Sequence, residues 1–414
     1  MGEEIIKLGI FEGYGIELEY MIVKQDSLAV MPVTDKVIEQ VTGEITGDAE
    51  LDDMGWSNEL VLHVIEVKTN GPSKELLHLP ERFHAQVKHI NEILQNMGGK
   101  LMPTAMHPWM NPYEEMKLWP HDNSPIYDAY NRIFDCRGHG WANLQSMHIN
   151  LPFKDDEEFG KLHAAVRLIL PILPSIAASS PIVEGKKADC HDQRLEVYRH
   201  NQAKVPSIAG KVIPEAVFSK EEYYNHIFIP LYKDIEPYDP DGILQDEWLN
   251  SRGAIARFDR NTIEIRLIDL QECPKADLAI AALVVEVLKA LVSEKWSPLD
   301  DQKNQKEEDL AYILLDCIRV GEKASIHDAS YLQLFGLSGN ELTAKDLWAY
   351  LVKELMVIEN AQWKETLEFI IDSGTLSTRI MAALKTDFAP QSLHNVYNRL
   401  CECLAENKMF TPGV

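Results

Sequence analysis

Apolar and polar residues alternate most regularly over Thr262–Asp269, which reads Thr-Ile-Glu-Ile-Arg-Leu-Ile-Asp. Ile263, Ile265 and Leu267 fall on one side, and Thr262, Glu264 and Arg266 on the other. This is the period-2 signature of a strand with one covered face. A strand over 15–23 sets Glu17 and Glu19 on a common face, and one over 61–69 sets Glu66 and Lys68 together. A further strand over 143–153 carries Ser146, His148 and Asn150 on one side, and 100–105 reads as a short one. Residues 254–259 and 262–269 form a hairpin turning at Arg260-Asn261, whereas the polar, acidic run 44–58 reads as a loop.

Helical spacing takes over elsewhere. Phe83, Val87, Ile90, Leu94 and Met97 keep the i, i+3, i+4 rhythm of an amphipathic helix, which Gly98-Gly99 stops. A short helix runs from Thr34, as its N-cap, to Gly43; another covers Ser124–Phe134. A longer one over 157–178 is bent or broken at Pro171 and Pro174, and an apolar helix spans 276–293. Loops are expected over 106–112 and 179–192, with mixed structure to 214. The polar segment after Trp296 is the best boundary, and helices follow at 307–320, 343–357, 362–373, 377–384 and 391–406. The pattern predicts an α+β protein: a mainly antiparallel sheet flanked by helices in residues 1–296, and a helical C-terminal region in 297–414 packed on it.

Composition narrows the function. The 414 residues are 45% hydrophobic and 25% charged, as in globular proteins, and the formal charge of −25 excludes a nucleic-acid backbone as partner. The apolar windows 168–178 and 278–292 are too short and too interrupted to span a membrane. The charged start predicts no secretory leader, and Ile6 stands where a myristoylation signal after Gly2 needs Ser or Thr. Cysteines 136, 190, 273, 317, 401 and 403 show no metal-site spacing, so reduced thiols and a cytoplasmic location are expected.

Three strands offering fixed carboxylates are more than solubility needs. On one sheet face they repel, and cations must relieve them. Glu17, Glu19, Glu66, His148 and Glu264 together make a hard-oxygen set with one imidazole, suited to Mg²⁺ or Mn²⁺ rather than zinc. Glu59 stands seven residues before Glu66, which puts it on the opposite face unless a bulge intervenes. Arg266, Arg257, Arg194 and Lys68 supply positive charge for phosphoryl transfer from ATP or for a substrate carboxylate. No phosphate-binding glycine loop is present, so ATP is expected to rest on metals and arginines. His107-Pro-Trp reads as a structural turn, nothing near His139 specifies a role for it, and Asp189-Cys190-His191-Asp192 reads as a polar loop.

These pieces, in order, carry a resemblance. Gly15-Ile-Glu-Leu-Glu-Tyr, Glu66-Val-Lys-Thr, Gln145-Ser-Met-His-Ile-Asn-Leu, Ala178-Ser-Ser-Pro-Ile-Val-Glu-Gly-Lys186 and the run from Ala256 to Asp269 resemble the glutamate–cysteine ligase family. Its carboxylate–amine ligase and plant-type branches are included, and the similarity covers residues 10–290. The resemblance implies a glutamine-synthetase-like antiparallel sheet curved into a funnel, Mg²⁺-ATP, and glutamate as carboxylate substrate. It carries metal-binding roles onto Glu17, Glu19, Glu66 and Glu264, a metal-associated role onto His148, and phosphate contact onto Arg266. Glu59 matches a family acidic position, and Arg194 and Arg257 match substrate or nucleotide arginines. The expected catalytic residues are Arg266, Glu264 and Arg257, with Arg266, Lys68 and Arg194 on the nucleotide.

The resemblance implies γ-glutamyl amide formation through an acyl phosphate, as in glutathione biosynthesis. Cysteine is the first candidate acceptor, although the acceptor pocket maps onto no named residues. It leaves a homo-oligomer open. A guanidino-kinase-like phosphotransferase is one alternative, but it wants a reactive cysteine by the acidic cluster. A non-catalytic paralogue that binds nucleotide and metal is the other.

Overall fold

The computed structural model describes residues 7–356 and 361–413. Its centre is an antiparallel sheet of eight strands. These are β1 (Gly15–Lys24), β2 (Asp48–Leu51), β3 (Met54–Asn58), β4 (Val64–Thr69), β5 (Gly99–Met102), β6 (Ser146–Pro152), and, after a small hairpin of β7 (Ile182–Val183) and β8 (Lys186–Lys187), β9 (Ala254–Arg257) and β10 (Thr262–Asp269). The order across the sheet is β2-β3-β4-β1-β6-β10-β9, with β5 also paired to β1. Asn261 takes the left-handed turn conformation between β9 and β10, which asparagine tolerates.

Alternation along β1 decides how the sheet is covered. Ile16, Leu18, Tyr20 and Ile22 point into the main core, where Ile263 and Ile265 of β10 join them. Helices Leu79–Asn96, Asp156–Ile169 and Pro274–Val292 pack together behind that face. On the opposite face, Met21 and Val23 lie in a second core with Leu376, Ile380, Leu393, Tyr397 and Leu400 of the C-terminal helices. Those helices stop short of Glu17 and Glu19, so half of β1 is covered on both faces and half is left to a cavity.

Most expected elements are present, with four differences. Residues 44–58 are not a loop throughout, because β2 and β3 form a hairpin within them; Trp56, fully buried, pairs opposite Val67. Gly55, Ser57 and Asn58 are buried as well, so no apolar alternation marks β3. Thr34 is not an N-cap: it is the first residue of its helix, and its hydroxyl donates to the Val64 carbonyl at 3.0 Å. As expected, the helix over 157–178 is broken at its prolines, into Asp156–Ile169, a 3-10 turn Leu170–Ile172 and Pro174–Ala177. The loop over 179–192 holds the β7–β8 hairpin. The helix expected over 343–357 is observed as Ala344–Leu355; Val357 and residues 1–6, with the Gly2 motif, lie outside the described residues. Among the described residues no helix is long and apolar enough to cross a membrane.

The helices beyond residue 296 share the main core with the sheet-bearing part. Trp348 Nε1 donates to the Ile172 carbonyl at 3.1 Å and to Ser175 Oγ at 2.9 Å, and the Tyr331 hydroxyl donates to the Leu168 carbonyl at 2.7 Å. Trp348→Ala should therefore cost about 3–5 kcal/mol of stability through the cavity left and the indole hydrogen bonds lost. Urea denaturation followed by far-UV circular dichroism measures it. A loss below about 1 kcal/mol would show that this contact does not tie the two parts together.

Candidate active site on the open sheet face

Cross-strand pairing brings the acidic residues together. Glu17 stands opposite Lys68 on one side and His148 on the other, Glu19 opposite Glu66, and Glu264 opposite Asn150. Directly opposed residues share a face, so one parity unites four strands. Glu59 belongs to this set. The parity objection counted along the chain through the turn between β3 and β4, where alternation is not maintained. Pairing supplies the correct count: Ser57 lies opposite Glu66, and Glu59 is two residues on from Ser57, on the same face.

Two groups of three ligand atoms result, each with all its atoms within 4.8 Å of one another. One comprises Glu17, Glu66 and His148; the other comprises Glu19, Glu59 and Glu66. Glu66 is common to both. Carboxylates with a single imidazole fit a hard divalent cation, and a shared carboxylate fits two of them side by side.

The surrounding hydrogen bonds set the orientation of these groups. His148 Nδ1 lies 2.9 Å from Glu17 Oε2, and its Nε2 lies 2.9 Å from Ser146 Oγ. Ser146 gives Glu19 Oε2 its backbone N–H at 2.6 Å, and its hydroxyl is 2.9 Å from the same oxygen. Ser57 donates to Glu66 at 2.6 Å, and Asn150 to Glu17 at 3.0 Å. Arg266 Nε lies 3.0 Å from Glu264 Oε1. Ser57 escaped the sequence reading because its strand did.

The electrostatics are those of a cluster short of positive charge. Burial, and then the Glu17 charge, push Glu66 up to about 8. Burial, with Glu19 and Glu66 nearby, holds Glu59 well above the carboxylate range. Burial opposes ionisation of Glu17 too, yet its hydrogen bond and attraction to His148 win and bring it down to about 2. Burial would lower His148, but Glu17, Glu19 and Glu264 raise it above its ordinary value. Without cations the cluster therefore retains protons.

Glu19, Glu59, His148 and Arg266 open onto a cavity of about 380 Å³. Its other walls come from Tyr127 and Tyr130 on the helix Ser124–Phe134, from Trp141, Tyr198 and Trp248, and from Asn201, Gln202 and Ser251. The i, i+3 spacing of Tyr127 and Tyr130 was visible in the sequence, but nothing in it tied that helix to β1. The remaining expected residues border the cluster. Lys68 sits at the edge of the cluster, 2.8 Å from Asp48 and 3.7 Å from Glu66. Arg257 is turned to Asp259 at 3.1 Å and lies 3.9 Å from Glu264. Arg194 is in the cavity wall, bonded to Asp269 at 3.2 Å and to the Arg266 carbonyl at 2.7 Å.

Fold and site together define a sheet-built protein that presents clustered carboxylates and arginines to a cavity on the open sheet face. Comparison with known proteins names the family. The sequence profile of glutamate-cysteine ligase family 2 (GCS2) matches residues 14–402, and the chain belongs to that family. An "uncharacterized protein" of Archaeoglobus fulgidus is 30% identical over 398 residues, 96% of this chain and 99% of the relative. A proposed glutamate–cysteine ligase 2-3 of Rubrobacter xylanophilus is 24% identical over 291 residues, 69% of this chain and 71% of its own. The glutamate–cysteine ligase of Francisella tularensis, solved in complex with AMP, superposes with a TM-score of 0.62 at 15% identity, covering 94% of this chain and 88% of that one. The expected ligase fold is thus present.

Proton retention has a measurable consequence. An acid whose folded pKa lies above its unfolded value binds more protons folded than unfolded, so its contribution to stability is lost as pH rises. For Glu66 that window runs from its ordinary 4.5 to about 8, and the raised His148 acts in the same direction. The melting temperature of EDTA-treated protein should fall from pH 5 to pH 8, and Mg²⁺ should restore it most at pH 8. Glu66→Gln should flatten the fall. A profile unchanged by this substitution would remove Glu66 as the residue that carries the proton.

Proposed function

We propose that the protein is an ATP-dependent carboxylate–amine ligase that activates the side-chain carboxylate of glutamate. Support comes above all from the two ligand groups sharing Glu66 beside Arg266, at the edge of a cavity sized for small substrates. Family membership supports a ligase. On this reading Glu17, Glu66 and His148 hold one divalent cation, Mg²⁺ or Mn²⁺, and Glu19, Glu59 and Glu66 a second. Bound cations supply charge neutralisation at phosphate oxygens.

The chain's own residues supply the rest. A glutamate carboxylate oxygen attacks the γ-phosphorus of ATP and ADP leaves, giving an acyl phosphate. The amine nitrogen then attacks the acyl carbon, phosphate departs with the bonding pair, and the amine loses a proton. Arg266, held by Glu264, is suited to meet the charge that spreads over the transferred group. Ser146, Asn150 and Ser57 keep the carboxylates from turning away. The aromatic wall restricts water, which would otherwise hydrolyse the acyl phosphate. The cytosol, with its ATP and free thiols, suits this chemistry, and cysteine is the first acceptor to try.

A guanidino-kinase-like reading gains nothing from the cysteines. None lines the cavity, and burial pushes Cys136 up to about 12 and Cys190, with Glu196 nearby, up to about 11.

The deciding assay is phosphate release from Mg²⁺-ATP with L-glutamate over a panel of amines, with product mass identifying the acceptor. Release with no amine and no carboxylate in the panel would defeat the ligase reading. Calorimetry should find ATP binding in excess Mg²⁺ and little in EDTA, since no glycine loop holds the phosphates; equal affinities would remove the cation-bridged site. Arg266→Ala should lower kcat by about a hundredfold or more, and Glu264→Gln, which loosens the hold on Arg266, should lower it to a smaller extent. Full activity in either variant at saturating Mg²⁺ would end that residue's role.

A further inference from the structure

β10 does not keep its register along β6. Ile265 lies opposite Ile149, but Ile268 lies opposite Met147, so one extra residue is accommodated between them as a bulge. Strict alternation from Glu264 and Arg266 would turn Ile268 to the cavity side and Asp269 into the core. The bulge reverses this. Leu267 and Ile268 both enter the core, and Asp269 comes out opposite Ser146, the residue that holds Glu19.

Asp269 is fully buried there and well supplied with donors. It accepts from the Ser179 backbone N–H at 2.8 Å and the Ser180 hydroxyl at 3.0 Å, and Arg194 reaches its other oxygen at 3.2 Å. Ser180 Oγ in turn accepts from the Arg194 backbone N–H at 3.0 Å. Arg194 is thus fixed at both its backbone and its guanidinium, and the Arg266 carbonyl takes a second nitrogen at 2.7 Å.

Arg194 differs from the arginines that tie the fold together. Arg379, equally buried, spends Nε on the Gly374 carbonyl and its terminal nitrogens on Glu272 and the Phe410 carbonyl. Arg252 is similarly committed to Glu215, Asn250 and backbone carbonyls. Arg194 keeps Nε unpaired although buried, and it lines the cavity. Arg167 also keeps a nitrogen unpaired, but away from this cavity; Arg266 Nε is unpaired on the same wall, where it faces Glu264 as an ion pair. Unspent guanidinium donors on a cavity wall match an oxyanion, and a carboxylate fits their planar fork.

We propose that Asp269, presented by the bulge, is a positioning residue that aims Arg194 at a substrate carboxylate in the cavity. This rests on the ligase reading for the identity of the substrate, and it selects one of glutamate's two carboxylates. A carboxylate clamped by a guanidinium is stabilised as an anion and is a poorer nucleophile. Arg194 therefore takes the α-carboxylate, which does not react, and leaves the side-chain carboxylate free to attack phosphorus.

Calorimetric titration of the full chain, with Mg²⁺ and a non-hydrolysable ATP analogue present, tests this with L-glutamate and with 4-aminobutyrate, which lacks the α-carboxylate. The wild type should prefer L-glutamate. Arg194→Gln and Asp269→Asn should each weaken L-glutamate by roughly tenfold or more and collapse that preference, with nucleotide affinity held within about twofold. The double variant should bind no more weakly than Arg194→Gln, because Asp269 acts through Arg194. If Asp269→Asn does not fold, Ser180→Ala, which removes one bond from each partner, should give the same loss of preference at smaller size. Additive effects, a wild type without the preference, or no glutamate binding at all would overturn the proposal. Glutamate binding that depends on Arg194 in a protein that releases no phosphate would instead overturn the ligase reading and leave the clamp in place.

Discussion

Mutual repulsion among Glu17, Glu19, Glu59, Glu66 and Glu264 on one sheet face is the constraint to which the other features answer. Burying like charges within a few ångströms costs more than any hydrogen bond returns, so the cluster must take up protons, pair with cationic side chains or bind metal. The protein uses the first two incompletely. His148 neutralises Glu17, and Arg266 neutralises Glu264, but Glu66 and Glu59 are left to hold protons. That residual demand for positive charge is what a cation site requires. A folded protein can bear it because the strain is confined to one mouth of a large core.

The core makes this possible by treating the two faces of β1 differently along its length. Ile16, Leu18, Tyr20 and Ile22 anchor the strand from behind throughout. In front, Met21 and Val23 lie under the C-terminal helices, whereas Glu19 opens onto the cavity. A strand buried on both faces at one end does not sag at the other, so its carboxylates keep fixed spacing. Strands serve better than loops here, since each carboxylate is held by two neighbours through backbone pairing.

The bulge in β10 has a comparable effect over a shorter span. It places two apolar residues in the core in succession and brings Asp269 round beside Arg194, where regular alternation would have buried a charge among Leu and Ile side chains. The wall of the cavity and the packing of the sheet are thus settled by the same irregularity.

Much of this was legible in the residue order. Alternation identified β1, β6 and β10, and put Glu17 with Glu19 and Ser146 with His148 and Asn150, because side chains in a strand point to opposite faces with a period of two. The helices Ser124–Phe134 and Glu307–Val320 have the bounds their spacing predicts. The residue types alone called for a hard cation. What the linear pattern does not contain is pairing. β3 was invisible because its buried positions include glycine, serine and asparagine, and only its partner β4 makes it a strand. Glu59 joined the cluster through opposition of Ser57 and Glu66, and Asp269 reached Arg194 through a register shift against β6. The first relation crosses a turn, and the second joins segments far apart in the chain. Local alternation reports which side of its own strand a residue takes; hydrogen bonding to a neighbour determines which strands share a face, and so which charges meet.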